Sequence, residues 1–406
     1  MLAAGSAETA LAFIEIGAVV LVLAVLSRLA GRFGLTAVPL FLLAGLTFGE
    51  GGLVQLDVSE DFISIAAEIG VLLLLFALGL EYSDAELRDG LRTGVKPGVF
   101  DMVANALPGV AFGLVLGWEP LAAVLLGGVT WISSSGVVSK VLADLGRLGF
   151  RETPAVLNLL VIEDLAMAIY LPVVAALIVG GSPGSTAARV GIALAVVTLI
   201  LVAALRYGGR FSAWVAGGSD EAFLLSVFGV TLLVAGFAQR FDVSGAVGAF
   251  LVGLALSGRA AERAAVTIMP LRDLFAATFF LFFSFQIDPS DLLDALFPAT
   301  LLAIVTITTK LLTGWYAAGL RGSGPRGRAR AAAVFVARGE FSIVIAALGS
   351  ELVDGPDLGA VAAAYVLITA IVGPLAARFA ESIPIPGFLM RSAAPSGRRA
   401  VGDSGA

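Results

Sequence analysis

The sequence predicts an all-α polytopic membrane protein of about thirteen transmembrane helices. Three observations carry this expectation. Of the 406 residues, 59% are hydrophobic and only 14% charged, with a mean hydropathy of +1.00, which lies outside the range of soluble globular domains. Apolar stretches long enough to cross or enter a bilayer recur along the chain with short connections between them. Basic residues cluster in alternate connections. Cys and His are absent, which excludes disulfides, thiolate or imidazole metal sites and histidine proton relays. Any proton chemistry must therefore use carboxylates, lysine or water.

The first span, 10–33, is flanked by acids and has neither a basic leader nor a cleavage site, so it reads as a retained helix. Spans at 37–50 and 63–81 follow, the third ending in FALGLEYSD (76–84). The fourth, 97–117, carries Asp101 and Asn105 four residues apart, a spacing that turns both toward one helix face, where they read as packing groups. The fifth, 120–143, is interrupted by VTWISSSGVVSK (129–140). Its serine hydroxyls compete for backbone hydrogen bonds and Gly136 is permissive, so the helix is expected to break there. The sixth, 153–180, holds adjacent Glu163 and Asp164, followed by spans at 187–206, 222–240 and 243–258. The tenth, 271–287, ends near FSFQIDPSD (283–291), and the eleventh, 298–320, has Lys310 near its middle. The twelfth, 331–350, contains FVARGEFSIVIA (335–346), and the thirteenth is 358–380. Glu15 and Glu68 also fall within spans.

Threading these spans places 21 of the 25 basic residues on one side, among them Arg88, Lys96, Arg151, Arg263, Arg326 and Arg391. The positive-inside rule puts that side in the cytoplasm, with the N-terminus outside and the C-terminus inside a plasma membrane. FALGLEYSD matches FSFQIDPSD, and FLLAGLTFG (41–49) matches FLVGLALSG (250–258) at nearly the same offset. The paired spans run in opposite directions, so residues of about 37–180 and 243–380 form an inverted repeat. One membrane domain over 1–385 and a short disordered cytoplasmic tail over 386–406 are expected. The repeat pairs spans five and twelve, both polar in mid-membrane, as broken helices that expose carbonyls and dipole ends near an ion site.

Five ionisable residues lie deep in spans: Glu163, Asp164, Lys310, Arg338 and Glu340. At 1.5 Å per residue, Asp164 is ~16 Å along its span, near the bilayer midplane. A charge there costs ~2.5–3.5 kcal/mol even on the lenient insertion scale, so the pair reads as functional. A Lys310–Glu163 bridge would leave Asp164 as the site, and Arg338 and Glu340 would compensate one another or pair across the helix crossing. A carboxylate in a partly dry site holds a proton more readily than in water. A hard monovalent cation, K⁺ or Na⁺, also takes carboxylate, hydroxyl and carbonyl oxygens, with Thr130, Ser133, Ser134 and Ser135 as neutral donors to the metal at Asp164. Proton and cation then compete, and a carrier that moves when loaded with either will exchange them. GSGPRG (322–327) matches a dinucleotide pattern, but it follows a membrane span and contains Pro and Arg, so it reads as a basic loop.

The carboxylate pair, SSSGVVSKVLADLG, mid-span Lys310 and ARGEFSIVIA together resemble the monovalent cation:proton antiporter-2 family, nearest its Kef-type and two-component potassium/proton antiporters. The resemblance covers roughly residues 10–380. It implies a sodium/proton antiporter-like fold, homodimerisation, a binding aspartate at Asp164, a lysine at Lys310 paired with the preceding acid, and broken-helix segments at Thr130, Ser133, Ser134, Ser135, Arg338 and Glu340. It implies no cofactor and no enzymatic activity. Two features depart from Kef-type proteins. Glu163 stands where they have Gln, closer to sodium/proton relatives, and the chain stops soon after Ile385, so control is expected to be absent or to come from a separately encoded cytoplasmic regulatory subunit. The expected function is secondary active exchange of a cation, K⁺ before Na⁺, for protons. The expected surroundings are membrane lipid, without nucleic acid. The alternatives are sodium-coupled symport of an organic anion and a membrane ion sensor that transports nothing.

Overall fold

Long apolar stretches must satisfy their backbone internally within a bilayer, and among the described residues every regular element is a helix. The computed structural model describes residues 2–33, 36–49, 60–80, 92–240, 245–285, 287–349, 352 and 358–381. Helices α1 (Leu2–Arg32), α2 (Val38–Phe48), α3 (Glu60–Leu80) and α4 (Val95–Val115) match the first four predicted spans. The fifth span is two helices, α5 (Pro120–Trp131) and α6 (Ser135–Asp144). Helices α7 (Thr153–Ile178), α8 (Pro183–Val215), α9 (Asp220–Arg240) and α10 (Gly245–Ala255) match the sixth to ninth. After α11 (Gly258–Thr267) come α12 (Met269–Phe285) and α13 (Pro289–Leu320), then the split pair α14 (Pro325–Val334) and α15 (Glu340–Gly349), and α16 (Leu358–Phe379). Among the described residues, six helical spans are long and apolar enough to cross a membrane by themselves, or seven if α11 and α12, bent by 52° at their junction, count together. The tail at 386–406, the acidic 57–59 and most of FALGLEYSD beyond Leu80 lie outside the described residues.

Helix α1 starts eight residues before its predicted span and α8 ends nine residues after its own, and two further features differ from the expectation. Helix α11 is amphipathic and charged (GRAAERAAVT), so hydropathy did not find it. Helix α13 begins nine residues before the predicted eleventh span, because Asp288 caps it by accepting from the Ser290 amide at 2.8 Å and Pro289 occupies its first turn.

The inverted repeat is visible as reciprocal packing. Helix α3 packs on α10 as α12 packs on α2, α3 and α12 pack on each other, and the α4–α5 contact has its counterpart in α13–α14. Glycines permit the closest approaches. A Cβ added to Gly79 would lie 2.7 Å from the Leu254 amide nitrogen, and one on Gly253 would lie 3.0 Å from the Gly79 Cα. Backbone cannot yield as a flexible side chain can, so Gly79→Leu is expected to overpack α3 against α10. A loss of ~1–3 kcal/mol or more, read as a lower melting temperature of the detergent-solubilised protein, checks this.

Candidate functional site

The two split helices cross at their breaks. The SSS sequence leaves helical geometry at 132–134, and Ser134, extended at φ −84°, ψ 105°, caps the restart of α6 by accepting from the Val137 amide at 3.2 Å. The backbone segments touch directly, with the Ser134 amide donating to the Ala337 carbonyl at 3.1 Å. Each break leaves one helix C-terminus with unsatisfied carbonyls and one N-terminus with unsatisfied amides facing the crossing.

Charged side chains complement both kinds of end. Arg338 donates to the Thr130 carbonyl at the end of α5 through Nε (3.2 Å) and a terminal nitrogen (3.1 Å), and to the Phe335 carbonyl at the end of α14 at 2.8 Å. One guanidinium thus closes two inward-facing, electronegative helix ends. Glu340 begins α15 and accepts from the Ser134 hydroxyl at 2.8 Å, so its carboxylate lies by the electropositive starts of α15 and α6. Arg338 and Glu340 therefore pair with groups across the crossing, and no direct ion pair joins them among the described contacts.

The second layer is a buried chain of charges. Glu163, Asp164, Lys310 and Arg338 are each at most 2% exposed, so none is compensated by bulk water. Glu163 accepts from the Ser133 amide at 2.6 Å, from its hydroxyl at 3.2 Å, and from Lys310 Nζ at 2.9 Å. Lys310 Nζ also donates to Asp101 Oδ1 at 2.6 Å. Asp101 is further held by Trp131 Nε1 and by Asn105 Nδ2, both at 2.9 Å. The Asn105 side-chain oxygen accepts from Thr309 at 2.7 Å. The Thr130 hydroxyl donates to backbone carbonyls, including that of Asn105 at 2.8 Å. Ser135 is buried at the start of α6.

Sequence reasoning brought Lys310 to Glu163 but found no partner for Asp101. The available signal was the Asp101/Asn105 spacing together with a tryptophan, Trp131, next to the serine run, since a buried indole N–H needs an acceptor. Glu68 is exposed on α3, away from this group, and the Glu15 side chain lies outside the described residues.

A cavity of about 480 Å³ reaches the crossing from the side of Lys140 and Arg272. Glu340, Gly136 and Val137 form its inner wall, with Thr36 and Asp273 also lining it. Asp164 does not line this cavity. Between them lies the serine break, in which Ser134 holds Glu340 and Ser133 holds Glu163.

Residues 18–379 match the family described as "Sodium/hydrogen exchanger, transmembrane". The chain belongs to that family. Its sequence is 33% identical over 378 residues to the K⁺/H⁺ antiporter subunit KhtU of Bacillus subtilis, covering 91% of this chain and 93% of that protein. It is 27% identical to the ammonium/H⁺ antiporter subunit AmhT of Alkalihalophilus pseudofirmus, over 90% of this chain and 93% of the relative. Over 359 residues it is 30% identical to the glutathione-regulated potassium-efflux protein KefC of Klebsiella pneumoniae, covering 85% of this chain but 56% of KefC. The resemblance to the monovalent cation:proton antiporter-2 group is thereby borne out. In fold, the exchanger is similar to the sodium proton antiporter MjNhaP1 of Methanocaldococcus jannaschii, with a TM-score of 0.70 at 16% identity over 95% of this chain and 99% of that one. It is a multi-pass membrane protein.

Proposed function

We propose that this exchanger is a monovalent cation/proton antiporter in which a proton and K⁺ compete for the Glu163–Asp164 pair, with Asp164 as the binding carboxylate. The observation that carries the reading is a charge imbalance. Asp101 and Glu163 are two buried carboxylates on one ammonium, Lys310, and Asp164, next to Glu163 in the sequence, is a third buried carboxylate. Arg338 and Glu340 compensate the helix ends and one another in net charge. If both of its carboxylates ionise, the Lys310 group alone carries an excess of one negative charge. Buried charge is costly unless neutralised, so protons or small cations are needed there in every state of the cycle.

The roles follow from geometry. Asp164 takes the cation or the proton. Glu163 shares Lys310 and is released to the site when Lys310 turns wholly to Asp101. The hydroxyls and carbonyls of the break, those of Ser133, Ser134, Ser135 and Thr130, supply neutral oxygens. The cavity ending at Glu340 supplies access from the basic side, which the positive-inside rule makes cytoplasmic. K⁺ is favoured because KhtU is named for K⁺/H⁺ exchange; Glu163 keeps Na⁺ in contention. Residues 1–385 would act as one transport unit, as a homodimer, with a regulatory subunit docking on its basic face. Organic-anion symport fits less well, because the carboxylate excess repels an anion.

The test is a proteoliposome assay with an entrapped pH dye. Adding K⁺, Na⁺ or NH₄⁺ to a preset pH gradient should dequench the dye, K⁺ at the lowest concentration. A response evoked only by organic anions, or none to any of these cations, would overturn the reading.

A further inference from the structure

We propose that the basic face holds a second site, specific for a phosphate group, at the start of α14. The glycine-rich GSGPRG sequence (322–327) lies here, and the helix starts within it, at Pro325. Gly324 is the N-cap, and with no side chain it leaves that helix end without a side-chain cap. Amide groups at such an end favour an anion, but an uncapped end alone does not make a site.

The independent observation is Ser323. It is 2% exposed, its hydroxyl has no hydrogen-bond partner, and it lines a cavity of about 490 Å³ with Arg151, Arg326 and Arg330. A buried hydroxyl without a partner costs ~1–3 kcal/mol, so its neighbourhood should normally satisfy it. A phosphate oxygen would do so.

Charge points the same way. Glu152 also lines the cavity, but its carboxylate is taken by Arg330 Nε at 2.6 Å, and Arg330 reaches Glu381 at 3.3 Å. Arg147 also reaches Glu381, at 3.5 Å, so these two acids and two guanidiniums cancel locally, with the second Glu152 oxygen 2.8 Å from where a Cβ on Gly327 would lie, against the first turn of α14. Arg151 and Arg326 make no ion pair among the described residues, and an Arg151 terminal nitrogen would lie 3.6 Å from a Cβ on Gly322, directly beside Ser323. Two uncommitted guanidiniums, a free hydroxyl and an uncapped helix start are together the donor set that binds a phosphate dianion. The α14 helix carries the crossing at its other end, so a ligand here would grip the outer end of a helix whose inner end Arg338 closes.

The phosphate could belong to a soluble anion or to a lipid headgroup, and the experiment separates these. The full chain is reconstituted in neutral-lipid nanodiscs and titrated calorimetrically with inorganic phosphate and pyrophosphate against chloride at matched ionic strength. A parallel arm compares melting temperatures in phosphatidylcholine and phosphatidylglycerol nanodiscs. Saturable binding of phosphate or pyrophosphate is expected, weakened about tenfold or more by Arg151→Gln with Arg326→Gln and less by Ser323→Ala. If only phosphatidylglycerol stabilises the protein, and the same substitutions remove the effect, the inference stands with the headgroup as source. Binding in neither arm, or binding that the substitutions leave unchanged, overturns it. Arg151 and Arg326 are exposed, and a wild-type melting temperature of the variants without phosphate shows that they are folded. None of these readouts requires ion exchange, so a negative result would leave the antiport proposal untouched.

Discussion

Asp164→Asn is expected to abolish cation-evoked dequenching, down to the level of empty liposomes, with the protein still folded and inserted. The amide is nearly isosteric with the carboxylate but can neither bind a proton in this range nor place a full negative charge against an alkali cation. Asp164→Glu keeps the charge and displaces it by one methylene, so residual exchange with weaker apparent cation affinity is expected. The contrast between the two variants separates a role for charge from a role for shape. A normal response from Asp164→Asn would refute the assignment of this residue as the binding site.

Lys310→Met should produce the largest loss of stability of any single substitution in the constellation. It leaves Asp101 and Glu163, which Lys310 bridges at 2.6 and 2.9 Å, as adjacent buried carboxylates without a cation. Removing one partner of a buried ion pair costs ~3–5 kcal/mol, and the group can lower that cost by taking up protons. Adding Asp101→Asn to Lys310→Met should restore a large part of the lost melting temperature, because it removes one of the two orphaned charges. The double-mutant cycle is therefore expected to be strongly non-additive. An additive result would mean that Lys310 and Asp101 do not interact, contrary to the described geometry. Lys310→Met is also expected to lose transport, whereas the rescued double variant should stay inactive if Lys310 must move between its two carboxylates.

Much of this arrangement was legible in the sequence because a membrane makes polarity conspicuous. Glu163 and Asp164 stood out within an apolar stretch, Lys310 stood out at the same depth, and the serine run and ARGEF marked the breaks. Helix pairing followed from FLLAGLTFG and FLVGLALSG. What could not be read depends on which faces meet. Asp101 gave no sign of its partner, because nothing in the local sequence states that α4 lies against α13. Arg338 and Glu340, two residues apart, invite pairing with each other, yet the opposed helix ends at the crossing draw them apart. That field exists only once both breaks are assembled. Helix α11 was invisible to hydropathy because its charged face is as long as its apolar one. The context of residues 322–327, after a membrane span and with Pro and Arg, argues against a nucleotide motif, and the burial of the Ser323 hydroxyl follows only from the packing.

The most direct test is the apparent cation affinity of the wild-type exchanger measured as a function of pH, at equal pH on both sides and with isotopic or dye-based readout of initial rates. One site shared by two ligands requires the half-saturating cation concentration to rise about tenfold per unit fall in pH once the carboxylate is protonated, with the rate at saturating cation recovering fully. A half-saturating concentration that stays constant while the maximal rate falls would place the proton and the cation on separate groups and contradict the account.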